Sequence, residues 1–587
     1  MKSYTISQAD QQKMLEKLNF LYGKERGQKV LKRLIKIIND FLKENGGPRG
    51  QLNTDWVDEK DAILITYGDQ FQKEGTIPLK NLKDFACTYL KDTFTGIHIL
   101  PFYPYSSDDG FSVIDYFAVN PELGGWQEVE ELSKEFKLMF DGVINHISAK
   151  SEWFQEYLAG NPQYKNFFIA VPEDTDISQV TRPRTTPLLT PFDTPEGTKY
   201  IWTTFSADQV DLNYANEEVL LKIVELLLFY SKKGAKLIRL DAIGYLWKKL
   251  GTTCIHLEET HKVIQLFRDI FDIVDPEMIF ITETNVPHKE NISYFGNGYN
   301  EAQMVYQFPL PPLVLNAFYR ENASHLLKWA DSLEKLSDRT TFFNFLASHD
   351  GIGLMPAKGI LSEEEINEMV EMVKARGGGV SYKTNSDGSK SPYELNISYF
   401  NALSNEEDPE EIKVKRFLCA HSILLSLVGV PGIYVHSLLG SQNYYQGVKE
   451  TGRLRSINRE KFKIDKLYKE LEDKNSIRRK VFDGMRELLK LRRKRKAFHP
   501  LGDQKILFLN DQVFSLVRTS PDQSEKLLSL QNVSQKDQRL IINLKEIGFD
   551  STSTYRDIIS DKVFIPDDAG NIICHLDSYQ FMWIVSV

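Results

Sequence analysis

The sequence predicts an α/β protein: a (β/α)8 TIM barrel with subdomains inserted in its loops and an all-β domain after it. Three observations predict this. Short continuous apolar runs recur along the middle of the chain, each followed by a segment with helical spacing. Polar and acidic residues gather just past several of these runs. Beyond Pro500 the helical spacing gives way to short strand patterns such as KILFL, VFSLV and YQFMWIV. Apolar strands separated by helices imply a parallel sheet buried on both faces. A (β/α)8 barrel carries its chemistry just beyond the C-terminal ends of its strands.

Taken in order, residues 1–58 read as a helical segment, because LEKLNFLYG and VLKRLIKIINDFLKE place apolar residues at helical spacing on a charged background. GGPRG at 46–50 is a loop. The predicted strands are AILITY (62–67), IHILPFYP (97–104), KLMFDGVI (137–144), AKLIRLDA (235–242), MIFITET (278–284), MVYQF (304–308), TFFNFLASH (341–349) and GVPGIYV (429–435). They assign 59–147 and 207–498 to the barrel. Residues 148–206, rich in Pro, Thr and aromatics, form an expected insertion after the third strand, and 357–396 another after the seventh. A helix over about 475–497 ends in KLRRKRK, read as a solvated basic helix end. Residues 499–587 form the β domain.

The bulk properties exclude several function classes. A net charge of -9 argues against a broad nucleic-acid-binding face, which must be basic. The four cysteines, Cys87, Cys254, Cys419 and Cys574, have neither zinc-ribbon nor disulfide-framework spacing. Reduced thiols suit the cytoplasm, and the N-terminus lacks the apolar core of a signal peptide. The apolar stretch 417–440 is broken by Pro431 and glycines, which favours a barrel helix and strand over a membrane span.

Four segments carry the chemistry: DGVINH (141–146), IRLDAIG (238–244), ITETNVPH (281–288) and ASHD (347–350). Each follows or ends a predicted strand. Together they resemble the four motifs of the α-amylase family of glycoside-active enzymes. The resemblance implies Asp241 as nucleophile, Glu283 as general acid/base and Asp350 as a transition-state-stabilising ligand of sugar hydroxyls. Retaining glycoside transfer needs this division, with one carboxylate attacking the anomeric carbon while a second carboxyl protonates the leaving oxygen. Arg239 shares a strand face with Asp241 and is expected to keep it ionised. Glu283 must start protonated and so needs a drier setting. His146 and His349 are placed to donate to sugar hydroxyls. In many amylases an asparagine matching Asn145 helps bind calcium, but no acidic cluster here completes an oxygen cage, so neither metal nor cofactor is expected.

Further segments, SSDDGFSVIDY (106–116), TRPRTTP (181–187), WTTFSADQVDLN (202–213), YELNISYFNAL (393–403) and TGRLRSINR (451–459), resemble the sucrose phosphorylase-like branch of that family. In this branch phosphate attacks the glucosyl-enzyme and yields α-glucose 1-phosphate. The resemblance implies that Asp108 and Arg455 clamp the far hydroxyls of glucose and that Phe111 and Tyr245 wall it. It implies Arg184, with Arg182 beside it, as phosphate ligand. Near the acceptor stand Asn285, Tyr393 and Glu394. Asn285 and Glu394 replace the histidine and glutamine of true sucrose phosphorylases, which argues against fructose as leaving group. The segments GTTCIHLEETH (251–261), TETNVPHKENISYFG (282–296) and ASHDGIGL (347–354) look closer to glucosylglycerate and glucosylglycerol phosphorylases. Glycerate would need a cation, for which Lys248, Lys289 and Arg182 are candidates; glycerol would need only Glu394 and Asn285. The expected reaction is phosphorolysis of 2-O-α-glucosylglycerate. The alternatives are glucosylglycerol, sucrose or sucrose 6'-phosphate as substrate, and hydrolysis or transglycosylation on the same barrel. The expected partners are a small α-glucoside and inorganic phosphate, without nucleic acid or membrane; a homodimer is left open.

Overall fold

The computed structural model describes residues 6–51, 55–385 and 388–587. Helices α1 (Gln8–Tyr22) and α2 (Lys24–Asn45) form a hairpin joined at Gly23, whose positive φ of 79° suits glycine. Ser7 caps α1 by accepting from the Asp10 N–H. The hairpin docks on two barrel helices, Glu217–Lys232 and Glu258–Val274. Lys17 pairs with Asp269 at 2.6 Å, and Arg26 and Arg33 pair with Glu217 and Glu218.

All eight predicted strands form: β1 (Ile63–Thr66), β2 (Gly96–Ile99), β3 (Lys137–Gly142), β4 (Ala235–Leu240), β5 (Ile279–Thr282), β6 (Met304–Tyr306), β7 (Thr341–Asn344) and β8 (Val430–Tyr434). They close a parallel barrel in which each strand pairs with its neighbours in sequence and β8 returns to β1. Nearly every strand residue is buried, because helices cover the outside and side chains fill the inside. The register sets Arg239 of β4 beside Asp141 of β3. Strand alternation then aims Arg239 and Asp241 to the same side. The apolar stretch at 417–440 contains helix Glu410–Ser426 followed by β8. Among the described residues no helix is long and apolar enough to cross a membrane.

Two excursions roof the C-terminal end of the barrel. After β3 the chain forms a three-stranded antiparallel sheet of Ala170–Val171, Leu189–Thr194 and Gly197–Trp202. It returns through Gln209–Asp211, which pairs with His146–Ser148. After β7, helix Glu363–Ala375 starts with a Ser362/Glu365 capping box and leads into the hairpin Gly379–Thr384/Lys390–Asn396. Its second strand pairs with Ile352–Gly353, setting Glu394 opposite Gly353.

Past Pro500 lie a six-stranded antiparallel sheet and a two-stranded one, Gln538–Asn543 with Asn571–Leu576. Buried and exposed residues alternate along both strands of that pair, as a sheet with one buried face requires. Trp583 of the larger sheet donates its indole N–H to Ser426 Oγ at 2.9 Å, tying this domain to a barrel helix.

The basic tail of helix Ile477–Arg492 departs from its expected solvation at one residue. Arg492 is 1% exposed, and its guanidinium donates to the carbonyls of Leu425, Glu59 and Phe498. Carbonyls gathered at the base of the barrel need donors once buried, and one guanidinium supplies several. All four cysteines are free; Cys254, Cys419 and Cys574 are buried and Cys87 is half-buried.

Candidate active site

At the C-terminal end of β4, Asp241 accepts from Arg239 Nη1 at 2.8 Å. The same nitrogen contacts Asp141, and Nη2 lies 3.7 Å from Glu283, just past β5. Asp141 is further held by His98 Nε2 of β2 at 2.7 Å. One buried guanidinium thus spans three carboxylates, with His98 steadying the deepest. Ala242, next after Asp241, has a left-handed φ of 48° and donates its N–H to Glu283 Oε2 at 2.9 Å. A non-glycine residue in that region is strained and persists only where its surroundings hold it. Here the turn points a main-chain donor at the carboxyl of the facing strand.

The electrostatics separate the three acids. Burial pushes Glu283 up to about 7, against Arg239 and reinforced by Asp241. Burial also pushes Asp241 up, to about 6, while Arg239 works to lower it and so favours the ionised form. Arg239 is shared with Asp141, whose negative charge adds to burial in opposing ionisation of Asp241. Burial works to raise Asp350 too, but Arg455 at 2.6 Å, with His349, Arg459 and Arg239, holds it well below the carboxylate range. Burial keeps His146 and His349 below their ordinary range, hence neutral near pH 7.

These acids open on one cavity. Asp241, Glu283 and Asp350 line it together with Asp108, Phe111, His146 and His349. Phe111 stacks on His349 at a centroid distance of 4.6 Å, and its carbonyl accepts from His146 Nε2 at 2.9 Å. Asp108 has a positive φ of 54° and accepts from Gln209 at 3.4 Å. The opposite wall carries Arg184, Asn285, Tyr393, Glu394 and Arg455. Arg455 grips Glu394 through Nε at 3.1 Å and Nη2 at 2.6 Å while its Nη1 holds Asp350. Asn285 donates to the Tyr393 hydroxyl at 3.4 Å.

Arg184 differs from Arg455. Its guanidinium lies over the rings of Phe205 (5.9 Å) and Tyr393 (5.6 Å), and its nearest carboxylate, Glu394, is 4.0 Å away. Among the described residues it is the cavity cation whose donors are not already used.

Several expected ligands lie elsewhere. Arg239 sits beneath the cavity, 2% exposed, and positions the acids rather than lining the space. Tyr245 stands behind Phe205, edge-on at 5.5 Å. Arg182 folds onto its own loop, donating to Thr186 O at 2.6 Å. Lys248 is locked between Asn145 Oδ1 and Asp211 Oδ2, each at 2.7 Å. Its ammonium therefore serves the fold beside the Asn145 position, not an acceptor. Lys289 faces a separate cleft. Phe205 and Gln209 line the cavity without having been singled out, since an aromatic and an amide in an insertion read as packing and surface.

The arrangement can seat a pyranose against Asp241, protonate a leaving oxygen from Glu283, and hold an anion beside them on Arg184. The chain is similar to known proteins over most of its length. The α-amylase catalytic domain family matches residues 86–375. A glucosylglycerate phosphorylase of Spirochaeta thermophila is 48% identical over 97% of this chain and 98% of its own length. One of Escherichia coli is 49% identical over 90% and 92%. The crystal structure of sucrose 6F-phosphate phosphorylase from Thermoanaerobacter thermosaccharolyticum superposes with a TM-score of 0.70 at 26% identity, covering 81% of this chain and 94% of that one. The chain belongs to the α-amylase family, in its sucrose phosphorylase-like branch, alongside the glucosylglycerate phosphorylases.

Proposed function

We propose that the protein is a retaining glucosylglycerate phosphorylase. Asp241 attacks the anomeric carbon of 2-O-α-glucosylglycerate, Glu283 gives its proton to the departing glycerate oxygen, and a β-glucosyl ester forms on Asp241. Phosphate then attacks the same carbon, Glu283 recovers a proton from it, Asp241 is released, and α-glucose 1-phosphate leaves. The two displacements return the α configuration. The resemblance of the chain to curated glucosylglycerate phosphorylases supports the substrate. The observation that carries the mechanism is Arg184, a guanidinium with free donors in the cavity that holds Asp241 and Glu283. Glycerate and phosphate are both oxyanions that must stand beside the anomeric carbon in turn, and a guanidinium fork suits each. Arg455 cannot serve both, being committed to Glu394 and Asp350. Asp350, held ionised, and neutral His146 and His349 offer the acceptor and donors that sugar hydroxyls need. The four free thiols suit a reducing compartment, and we place the enzyme in the cytoplasm.

The test is release of glucose 1-phosphate from glucosylglycerate, glucosylglycerol, sucrose and sucrose 6'-phosphate at saturating phosphate. Glucosylglycerate is expected to be used best. A protein releasing only glucose would be a hydrolase. Arg184→Ala is expected to slow the phosphate-dependent step about tenfold to a hundredfold, the worth of a charge-assisted contact. Slow formation of free glucose should persist, since water needs no cation. An unchanged dependence of rate on phosphate concentration would remove Arg184 from the site.

The shifted acids also predict a pH profile. Asp241 works ionised, so activity falls as pH drops through its raised pKa of about 6. Glu283 works protonated, so activity falls as pH rises through its pKa of about 7. The kcat/KM profile should be a narrow bell whose limbs belong to the pair. A flat profile from pH 5 to 8 would contradict this.

A further inference from the structure

A second cleft, of about 510 Å3, shares no residue with the active-site cavity. Its walls come from three places: the loop after Glu283 (Pro287 to Lys289), helix Ser324–Asp331 (His325, Lys328, Trp329) and the turn around Pro356 and Lys358. No aspartate or glutamate lines it, although the chain has 81 acidic residues against 72 lysines and arginines. Among the described residues, the ammonium groups of Lys289, Lys328 and Lys358 have neither an ion pair nor a hydrogen bond, whereas His325 is paired with Glu365 at 3.0 Å. Lys383, on the neighbouring hairpin, lies within electrostatic reach of Lys358; burial, then Lys358, keeps its ammonium below the usual lysine range. Lys358 and Lys383 repel one another, and an anion between them would relieve that.

Two buried ring nitrogens lie in the same walls without a partner. Trp329 is 4% exposed and its indole nitrogen finds no hydrogen-bond acceptor; His288 Nδ1 is likewise buried and unpaired. Buried polar groups are normally satisfied, so these two nitrogens in the walls lack a partner that the protein itself does not supply. The volume is within the range of about 300–1,000 Å3 that small-molecule sites occupy.

We propose that this cleft is a second, non-catalytic site for a small organic phosphate. The segments that wall it run on from residues of the proposed acceptor side of the active site. The loop that carries His288 and Lys289 begins at Asn285. The turn that carries Lys358 follows Gly353, where an added Cβ would come within 2.6 Å of Asn285 Oδ1. An anion bridging Lys289 and Lys358 therefore ties together the two segments that pack around Asn285. The inference is independent of which glucoside the enzyme cleaves.

Isothermal titration of the full-length protein with pyrophosphate tests it without any assay of activity. Because the proposed function gives Arg184 a phosphate site of its own, the titration is made on Arg184→Ala, which is expected to bind one equivalent saturably at this cleft. The paired substitution Lys328→Ala/Lys358→Ala should weaken binding at least about tenfold, as loss of two cationic contacts to an anion implies. The lysines are exposed, so the fold is expected to persist, checked by circular dichroism. No saturable binding to Arg184→Ala, or equal affinity once Lys328→Ala/Lys358→Ala is added to it, would each overturn the proposal.

Discussion

Asp241→Asn is expected to leave a folded protein whose release of glucose 1-phosphate has dropped by roughly 10^4-fold or more, the scale seen when a covalent nucleophile is removed. An amide has neither the charge nor the leaving-group chemistry to form and release a glycosyl ester. The substitution should not unfold the site. Arg239, which loses one anionic partner, still contacts Asp141, so no buried guanidinium is left without a carboxylate. The amide oxygen of asparagine can still accept the hydrogen bond that Asp241 accepts at 2.8 Å. Matching circular dichroism and thermal melting, alongside product release, separate lost chemistry from lost structure. Turnover near the wild-type rate in such a folded variant would end the two-step mechanism.

Glu283→Gln is expected to lower turnover of glucosylglycerate by about 10^2- to 10^4-fold, the usual contribution of a positioned general acid. The loss should be far smaller with α-glucosyl fluoride in the first half-reaction, because fluoride leaves without a proton. The alkaline limb of the pH profile should also disappear, since glutamine has no proton to lose near pH 7. Ala242 would still donate to the glutamine oxygen, keeping the side chain in place. Equal losses on both substrates would assign Glu283 another task.

The barrel was legible because its strands are buried on both faces and read as continuous apolar runs, so AILITY and AKLIRLDA announce themselves without alignment. The acids were legible for a related reason: Asp241, Glu283 and Asp350 each follow such a run, where a barrel gathers polar side chains. What stayed hidden was pairing. Arg239 and Asp241 are two residues apart, and their contact could be foreseen from strand alternation. That Asp141 also claims Arg239 depends on barrel register, and it leaves burial free to raise Asp241. Glu394 and Arg455 read as independent ligands, yet they occupy one another across 61 residues. Arg182 and Arg184 look alike in TRPRTTP; only the placement of Phe205 and Tyr393 separates the one that enters the cavity. Arg492 looked solvated because sequence does not reveal that the base of the barrel needs donors.

Lys248 has a consequence for how the site tolerates its surroundings. Its ammonium bridges Asn145 and Asp211, which are 66 residues apart in the chain and join the end of β3 to the returning insertion. Because this cation is covalently attached, its local concentration is set by the fold and does not vary with the medium. A chelator has nothing to extract from it, and a fall in divalent ions does not empty it. The only way to discharge it is to remove its proton. Burial lowers that threshold, and Asp211 pushes it back up. Alkaline solution, by removing that proton, is therefore expected to loosen the junction between barrel and roof.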